Sequence, residues 1–382
     1  MKIAFDLRRI GNPGIGRYMK CLVNAILKQG SHHEFVLLLP PHARGVFSTN
    51  GANVNSLVPR AGYYSLREQI ELPRILRAQK VDLLHSPHFL IPLTQVCPAV
   101  VTIHDVIYLA CREDLQSLVG RTYYSAMMRA SAYLAKTIIT DSRFSKSEIV
   151  RYLGVDPEKV SVIYPAVDDG IKRTVELPRL QQAAARHGIR GDYIFYTGIY
   201  KKRKNHAGLL RAFRAFAKRG GQAQLVMAGP LGDGERQLRS HAAELGVSHD
   251  LVFTGFVDDS ELSALYSGAR VYACASLYEG FGFTLLEAMA CGVPVVSSSA
   301  ASLPEVGGTA CLYADARIPE EFGDALYRAF TEDALRADLV RLGYGNLRRF
   351  SWTEAAAGCL ATYEQVLSNA LPHAVVAPTN LG

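Results

Sequence analysis

Short apolar segments rich in β-branched residues alternate along the whole chain with stretches whose apolar residues recur at helical spacing. Such alternation is typical of parallel sheets wrapped by helices. In the first half of the chain the pattern predicts strands at residues 3–6, 35–39, 82–85, 99–103, 137–140 and 160–164. In the second half it predicts strands at residues 193–197, 224–228, 251–254, 271–274, 294–297 and 311–313.

Two separate series of strands predict two domains. The chain has 382 residues, more than a single core usually supports, and a polar stretch at 167–192 with a helical segment at 177–187 lies between the series. We therefore expect an α/β protein with two doubly wound, Rossmann-like domains at residues 1–175 and 176–355. Because open parallel sheets bind ligands beyond the carboxyl ends of their strands, the active site is expected in the cleft between the domains.

The end of the chain predicts one more helix. Its amphipathic pattern covers residues 352–367 and follows Ser351 as the N-cap. We expect the segment 352–370 to pack back toward the first domain, and the residues from Pro372 onward to form a loose tail.

Composition narrows the classes of partner. The formal net charge is +7, which would suit a nucleic acid, an anionic membrane surface or a phosphate-bearing ligand. Eight Lys and Arg residues lie within 201–219 without any acid, but the interleaved aromatic platforms typical of RNA binding are missing, so no nucleic-acid partner is expected. The seven cysteines form no CxxC pair, and neither a disulfide framework nor a zinc site is predicted.

The chain also lacks the patterns of a membrane or secreted protein. No apolar run approaches the ~20 residues that span a bilayer. The amino terminus runs directly into a strand-like segment, without the basic region and apolar stretch of a secretory signal. We therefore expect a cytoplasmic protein.

The segment 276–294, SLYEGFGFTLLEAMACGVP, carries the clearest chemistry. Its glycine-rich turn follows a predicted strand and opens a helix near Phe283, and the backbone N–H groups at such a helix start can receive an anion. Glu279 lies in the turn and Glu287 one turn inside the helix, where carboxylates can accept hydrogen bonds from sugar or ribose hydroxyls. For Glu287 a second interpretation stays open, because Thr284 and Glu287 also match a capping box.

A basic turn at 197–206, TGIYKKRKNH, again lies between a strand and a helix. Fixed cations beside a diphosphate leaving group stabilise the charge that develops as the bond breaks. Arg203 and Lys204 are the candidates for this role. For Lys201 and Lys202 a solvated basic surface is the favoured interpretation.

A third turn, at residues 8–18, is rich in glycine but does not have the GxGxxG spacing of a dinucleotide site. Gly14 and Gly16 would allow the backbone to approach a phosphate or sugar closely, and a plain tight turn is the alternative. His104 follows the predicted strand 99–103 at the edge where ligands bind, although a lone histidine is more often structural. His85 and His88, at the end of a neighbouring strand, are weaker candidates for the acceptor side.

These segments together resemble the retaining family-four glycosyltransferases, which have the two-domain GT-B fold. The chain matches their E-x7-E motif with Glu279 and Glu287 inside EGFGFTLLEAMACGVPVV, their basic loop with RKN at 203–205, and their first turn with GIGRY at 14–18. The resemblance extends over nearly the whole chain. One departure is Ile199, where many members carry a further Arg.

The resemblance implies a role for each matched residue. Glu279 would contact the donor sugar and Glu287 the nucleotide ribose, while His104 would contact the sugar hydroxyls or a supporting backbone carbonyl. The main chain near Val257 would meet the nucleobase. The sugar and diphosphate would be surrounded by Gly282, Phe283, Thr284 and Leu285, and the diphosphate side of the cleft would be lined by Gly14 and Gly16.

The expected reaction follows from the resemblance and from the residues that are missing. The chain resembles bacterial mannosyl- or rhamnosyltransferases of surface-polysaccharide assembly. This resemblance implies a nucleotide diphosphate-sugar donor, preferably a GDP-sugar, and a saccharide or lipid-linked acceptor. The two adjacent aspartate pairs, Asp168-Asp169 and Asp258-Asp259, do not form the Asp-x-Asp of a metal-dependent transferase. We expect retention of configuration through a front-face route, with no metal and no cofactor.

Three rival functions stay open from the sequence. A sugar-nucleotide 2-epimerase shares the architecture and would be distinguished by its product. A non-catalytic sugar-nucleotide-binding protein would bind donor without turnover. A phosphorylase would need a pyridoxal-bearing lysine, for which the sequence gives no sign.

The segment 63–80, YYSLREQIELPRILRAQK, combines aromatic, aliphatic and basic residues in the expected acceptor domain. Such a segment could rest on an anionic membrane surface, which would place the protein at the inner face of the membrane as a peripheral protein. The alternative is an ordinary amphipathic helix whose Leu66, Ile70 and Leu72 face the core.

Overall fold

The structure is a computed structural model that describes residues 1–12, 14–47, 53–114 and 117–370. Its strands are β1 (Lys2–Asp6), β2 (Glu34–Leu38), β3 (Asn53–Leu57), β4 (Leu83–Ser86), β5 (Ala99–Thr102), β6 (Thr137–Thr140), β7 (Val160–Val162), β8 (Tyr193–Thr197), β9 (Gln224–Ala228), β10 (Leu251–Gly255), β11 (Val271–Cys274), β12 (Val295–Ser298) and β13 (Cys311–Ala314). The tail predicted from Pro372 lies outside the described residues.

The helices account for most of the remaining described chain. They are α1 (Ile15–Gln29), α2 (Glu68–Ala78), α3 (Ile107–Ala110), α4 (Leu118–Leu134), α5 (Arg143–Leu153), α6 (Leu177–Arg186), α7 (His206–Lys218), α8 (Gly234–Leu245), α9 (Asp259–Gly268), α10 (Phe283–Ala290), α11 (Leu303–Gly307), α12 (Pro319–Thr331), α13 (Asp333–Leu347) and α14 (Trp352–Ala370). Among the described residues no helix has both the length and the apolar character needed to cross a bilayer.

The strands form two parallel sheets, one in each half of the chain. The first has the order β3-β2-β1-β4-β5-β6-β7 and the second the order β10-β9-β8-β11-β12-β13. In each sheet the chain reverses its direction of travel once, between β1 and β4 in the first and between β8 and β11 in the second. Ligands bind at such switch points, and the three turns singled out in the sequence follow β1, β8 and β11.

Every predicted strand is present, with ends that differ from the prediction by at most two residues. The fold class, two doubly wound α/β sheets, is confirmed. The prediction missed β3, which lies at the edge of the first sheet and pairs only with β2. Its sequence, NVNSL, is mostly polar and solvent-facing, so it lacks the apolar run that reveals an inner strand.

Helix α14 packs on the first domain although it ends the described chain. Its Cys359 and Tyr363 are fully buried in one apolar cluster with Phe5 and Phe35 of β1 and β2. The Tyr363 hydroxyl lies 2.6 Å from Nδ1 of His85. The chain therefore returns from the second domain to complete the core of the first.

Helix α2 differs from its amphipathic interpretation. Leu72 is 2% exposed and faces the core as expected, but Leu66 is 88% and Ile70 56% exposed. The alternative interpretation of this segment, in which all three side chains face the core, is therefore wrong for Leu66 and Ile70. The reason is that α2 begins only at Glu68, so Leu66 precedes the helix, and Ile70 lies on its outer face.

Candidate active site

Glu279 lies in the turn between β11 and α10, the helix that starts at Phe283 as predicted. Its carboxylate is buried and holds two cations of the neighbouring turn: Lys204 Nζ donates to Oε1 over 2.6 Å, and Arg203 Nη1 donates to Oε2 over 3.3 Å. Burial alone would raise the pKa of Glu279, but the charges of Lys204 and Arg203 outweigh it and hold that pKa below its usual range. Glu279 is therefore an ionised carboxylate fixed between two cations.

The basic turn is held in place by backbone contacts on both sides. It forms a 3-10 turn, Lys202–Lys204, which ends at Asn205 with a φ of 55°. Asn tolerates this left-handed conformation better than most residues, and its side chain donates to the Ala316 carbonyl over 2.8 Å. The backbone N–H of Leu277 donates to the Arg203 carbonyl over 2.7 Å, so the turns after β8 and β11 are joined directly.

The basic turn also reaches the first domain. Arg203 Nε lies 2.8 Å from Oδ2 of Asp114, and Lys201 Nζ donates to the Asp114 carbonyl over 3.0 Å. The solvated interpretation therefore fits the exposed Lys202 and is wrong for Lys201. Its partner lies 87 positions away, which is why the local pattern gave no sign of the contact.

The Glu287 carboxylate is bound by side chains from outside its own helix. Its Oε1 accepts a hydrogen bond from Arg17 Nη1 over 2.7 Å, and its Oε2 accepts one from the Tyr266 hydroxyl over 2.9 Å. Because α10 has Gly282 as its N-cap and no side-chain cap, the capping-box interpretation of Thr284 and Glu287 is wrong. Burial raises the pKa of Glu287 above its usual range, although Arg17 and Tyr266 each act to lower it.

His104 follows β5 and is fixed by two partners. Its Nδ1 lies 2.7 Å from Oδ2 of Asp141, and its Nε2 lies 3.3 Å from the Pro87 carbonyl. The ring meets Tyr18 edge-on, with centroids 4.6 Å apart. Burial would lower the pKa of His104, but the Asp141 carboxylate outweighs it and raises that pKa. An imidazolium at this position can donate to Asp141 and to the carbonyl at the same time.

The turn that carries Glu279 touches His104 directly. A Cβ atom at Gly280 would lie 2.8 Å from Cβ of Asp105 and 3.0 Å from the His104 carbonyl oxygen, so only glycine permits this approach of the two domains. The Gly280 carbonyl accepts hydrogen bonds from the hydroxyls of Ser142, over 2.6 Å, and Ser145, over 2.9 Å. Two serines of the first domain therefore anchor the turn of the second.

A carboxylate of the second domain caps a helix of the first. Glu305, in α11, accepts hydrogen bonds from the backbone N–H groups of Arg143, over 2.7 Å, and Phe144, over 3.0 Å, at the start of α5. It also accepts one from the Tyr164 hydroxyl over 2.8 Å. Negative charge at a helix N-terminus is stabilising, so this contact joins the domains beside the cleft.

A cavity of about 660 Å³ opens beside His104 and Arg203 in the first domain. Five aromatic side chains from four separate segments line it: Tyr64, Phe89, Tyr108, Tyr123 and Tyr124. Tyr64 has a φ of 61°, an uncommon and strained conformation for a bulky residue. Of the two weaker histidine candidates, His88 lines the cavity, whereas His85 is fully buried in the core.

The remaining candidate residues differ in their surroundings. Gly14 and Gly16 lie at the start of α1, and a Cβ at Gly16 would lie 1.9 Å from the Ile10 carbonyl oxygen, so a tight turn explains this glycine without a ligand. Phe283 packs between the cores of both domains. Leu285 is fully buried, and its N–H already donates to the Gly282 carbonyl.

Two further placements complete the candidate set. Thr284 is half-buried in the first turn of α10, and Val257 is half-buried just after β10, beside a largely exposed Phe256. The ligand contacts expected of these residues stay predictions. Among the described residues no group of three or more His, Cys, Asp and Glu side chains is arranged to hold a metal ion.

Sequence reasoning attached no chemistry to Asp141, Ser142 and Ser145, which hold His104 and the Gly280 carbonyl. The feature of the sequence that could have identified them is their position at the end of a predicted strand, where Ser142 is the N-cap of the following helix. Nor did it assign a role to Arg17, although that residue is part of the GIGRY turn. Their partners lie between 37 and 270 positions away in sequence.

Known proteins match both halves of the chain. Residues 13–170 match the family described as Glycosyltransferase Family 4, and residues 182–344 match Glycosyl transferases group 1. O-antigen chain mannosyltransferase B of Escherichia coli is 32% identical, over 95% of this chain and 100% of that protein. The MMP alpha-(1->4)-mannosyltransferase of Mycolicibacterium hassiacum is 33% identical, over 71% of this chain and 66% of that protein.

Solved structures share the fold at lower identity. Anabaena Alr3699/HepE, in complex with UDP and glucose, superposes with a TM-score of 0.73 and 18% identity, over 96% of this chain and 100% of that chain. Full-length similarity to the Escherichia coli protein, the two family matches and the paired sheets agree with one another. The chain therefore belongs to the family-four glycosyltransferases of the GT-B fold.

Proposed function

We propose that this glycosyltransferase is a retaining, metal-independent enzyme that moves mannose, or a closely related hexose, from a GDP-sugar to a saccharide or lipid-linked acceptor. The process would be the assembly of a surface polysaccharide. Full-length similarity to an O-antigen chain mannosyltransferase supports both the sugar and the process. The nucleotide sugar is a substrate, and no cofactor is part of the proposal.

The observation that carries the proposal is the constellation around Glu279. An ionised carboxylate, two cations and the N-terminus of α10 lie together in the second domain, and one of the cations, Arg203, lines the same cavity as His104 of the first domain. Lys204 has three N–H donors and Arg203 has five, so each can hold Glu279 and still bind a diphosphate. A nucleotide-sugar site requires a carboxylate that accepts hydrogen bonds from the sugar hydroxyls and cations that bind the diphosphate.

The cations supply the electrostatic part of catalysis. As the glycosidic bond to the diphosphate breaks, negative charge builds on the leaving oxygen, and Arg203, Lys204 and the first N–H groups of α10 stabilise it. These groups take the part that a divalent ion plays in Asp-x-Asp transferases, which is the basis for proposing metal independence. Their low exposure strengthens each interaction.

Retention is proposed to proceed on one face of the sugar. A covalent route needs a carboxylate that is free to attack the anomeric carbon, whereas Glu279 is held by two cations and has a lowered pKa. We therefore assign Glu279 to the sugar hydroxyls. The leaving group departs and the acceptor attacks from the same side, through an oxocarbenium-like state.

Product analysis tests the proposal. Purified protein is incubated with GDP-mannose, GDP-rhamnose, UDP-glucose and UDP-N-acetylglucosamine, each with and without a mannose-terminated oligosaccharide, and products are identified by mass spectrometry and NMR. A new α-mannoside formed from the α-linked donor is the expected result. An epimerised sugar nucleotide would instead identify a 2-epimerase, and donor binding without any product would identify a non-catalytic binding protein.

We also propose that the exposed face of α2 rests on an anionic membrane. Ile70, Arg74 and Arg77 of α2 are exposed at helical spacing, and Leu66 and Arg67, just before the helix, are exposed as well. Each cation near an anionic surface contributes about 1 kcal/mol. Three of them, with two exposed aliphatic side chains, would give reversible attachment close to the aromatic cavity, where a lipid-linked acceptor would enter.

Co-sedimentation with liposomes tests this contact. Binding to phosphatidylglycerol vesicles at low salt should fall sharply by about 0.5 M salt, because salt screens the attraction, and also in the triple variant Arg67→Ser, Arg74→Ser, Arg77→Ser. A matched variant with Arg211, Lys218 and Arg236 of the second domain changed to Ser loses the same charge and should still bind. Absence of binding at low salt would refute the contact.

A further inference from the structure

Arg17 joins the two domains through a single side chain. It lies in α1 of the first domain, and its guanidinium donates to Glu287 in α10 and to Asp259 at the start of α9, both in the second domain. Its Nε lies 3.7 Å from Asp168. Of these partners only Glu287, whose Oε1 lies 2.7 Å from Arg17 Nη1, belongs to the E-x7-E motif.

The Glu287 carboxylate is oriented by donors from both domains. Arg17 holds Oε1 from the first domain, and the fully buried Tyr266 holds Oε2 from the second. A carboxylate offers about four lone-pair positions, so each oxygen keeps one for a ligand. Two neighbouring acceptors at a fixed spacing suit the two adjacent hydroxyls of a ribose.

We propose that Arg17 is a positioning residue for the donor ribose, which fixes the Glu287 carboxylate from the opposite domain and thereby couples nucleotide binding to the approach of the two domains. The inference rests on the proposed function, in which Glu287 accepts the ribose hydroxyls. Coupling of this kind is reciprocal: if closure of the domains strengthens the ribose site, nucleotide binding favours closure by the same factor.

The surroundings of Glu287 determine how its charge responds to the loss of Arg17. The titratable and charged groups that face it are Arg17 from α1, Asp259 and Tyr266 from α9, Tyr272 from β11, and Cys291 after its own helix. Burial and Asp259 raise the pKa of Glu287, whereas Arg17 lowers it. Removing Arg17 raises this pKa further, so protonation, which removes acceptor capacity, begins at a higher pH.

Calorimetric titration with GDP and with UDP, repeated from about pH 5 to about pH 8, tests the proposal. Arg17→Met should weaken nucleotide binding by about tenfold or more, equivalent to about 1.4 kcal/mol, and should move the pH at which binding declines upward. Lys28→Met, which removes an exposed cation in the last turn of the same helix, should match the wild type in affinity and in pH profile. Arg17→Lys keeps the charge and should keep the wild-type profile with a smaller loss of affinity.

Small-angle scattering with and without GDP distinguishes coupling between nucleotide binding and domain approach from a purely local orientation of the Glu287 carboxylate. Tyr266→Phe should weaken binding but retain the nucleotide-induced decrease in radius of gyration, whereas Arg17→Met should lose that decrease. Wild-type affinity, pH profile and compaction in Arg17→Met would overturn the inference, as would an equal loss in Lys28→Met. A wild-type protein that binds neither GDP nor UDP would overturn the proposed function, and this inference with it.

Discussion

The two walls of the cleft are built from different chemistry. On the second-domain wall, Glu279 is fixed by Lys204 and Arg203 in two turns that are joined by a backbone hydrogen bond. On the first-domain wall, aromatic rings from four separate segments surround a cavity, with His104 at its edge. In the proposed function, the first arrangement would bind the diphosphate and the sugar hydroxyls, and the second would offer a broad apolar surface to a saccharide acceptor.

This difference predicts which single substitutions should have the largest effects on activity. Breaking a buried ion pair leaves its partner charged and unpaired, which is strongly unfavourable. Aromatic pairs contribute about 0.5–1.5 kcal/mol each, and the cavity has several. We therefore expect large effects from the charged wall and smaller ones from the aromatic wall.

The largest effect is expected from Glu279→Gln, which keeps the shape of the side chain and removes its charge. Turnover should fall by about a hundredfold or more, the scale of losing one well-placed polar group at a reacting centre. The measurement is kcat at saturating donor, with thermal unfolding to show that the fold is intact. Glu235→Gln is the control, because Glu235 forms an ion pair with Arg239 within α8, away from the candidate site. A kcat near the wild-type value would remove Glu279 from the mechanism.

Lys204→Ala should raise the KM for donor by about tenfold to a hundredfold, since charge-assisted hydrogen bonds contribute about 1.5–3 kcal/mol. Lys202→Ala is the matched control, because Lys202 is exposed in the same turn, and it should change this KM by no more than about twofold. Equal and small effects in both variants would mean that the turn does not bind the diphosphate.

On the aromatic wall, Tyr64→Ala should raise the KM for acceptor by up to about tenfold and leave the KM for donor unchanged. Tyr133→Ala is the control, because Tyr133 is an exposed tyrosine of α4 outside the cavity. If the KM for donor rose as much as the KM for acceptor, the division of the cleft into donor and acceptor walls would be wrong.

Addition of excess EDTA should have the smallest effect, with initial rates unchanged. The reason is that protein cations and the start of α10 neutralise the leaving diphosphate in the proposed mechanism. Rates are measured on protein dialysed against EDTA, before and after addition of magnesium or manganese. A complete loss that either ion restores would contradict metal independence.

The charged wall could be predicted from sequence because its residues are contiguous. Glu279, Gly282 and Phe283 belong to one turn and helix start, and Arg203 and Lys204 to another. Each follows a strand whose apolar run is easily seen, so the motif and its place in the fold were predicted together. The functional roles still depend on the experiments above.

The contacts between the domains could not be predicted, because each partner depends on how the two sheets face each other. Arg17 and Glu287 are 270 positions apart, and Ser142 and the Gly280 carbonyl 138. Nothing in the local pattern distinguishes Ser142 from an ordinary helix cap. The aromatic cavity was missed for the same reason, since its rings come from segments that meet only in the folded chain.

The position of α14 has a consequence for the order in which the protein is synthesised and folds. The ribosome synthesises Phe5 long before its buried neighbour Tyr363, whose ring centroid lies 6.3 Å away in the folded chain. Part of the apolar surface of β1 and β2 must therefore stay exposed to solvent until the whole second domain has been synthesised. Nascent chains that stop before residue 352 should consequently bind chaperones or aggregate, even though they already carry every strand of both sheets.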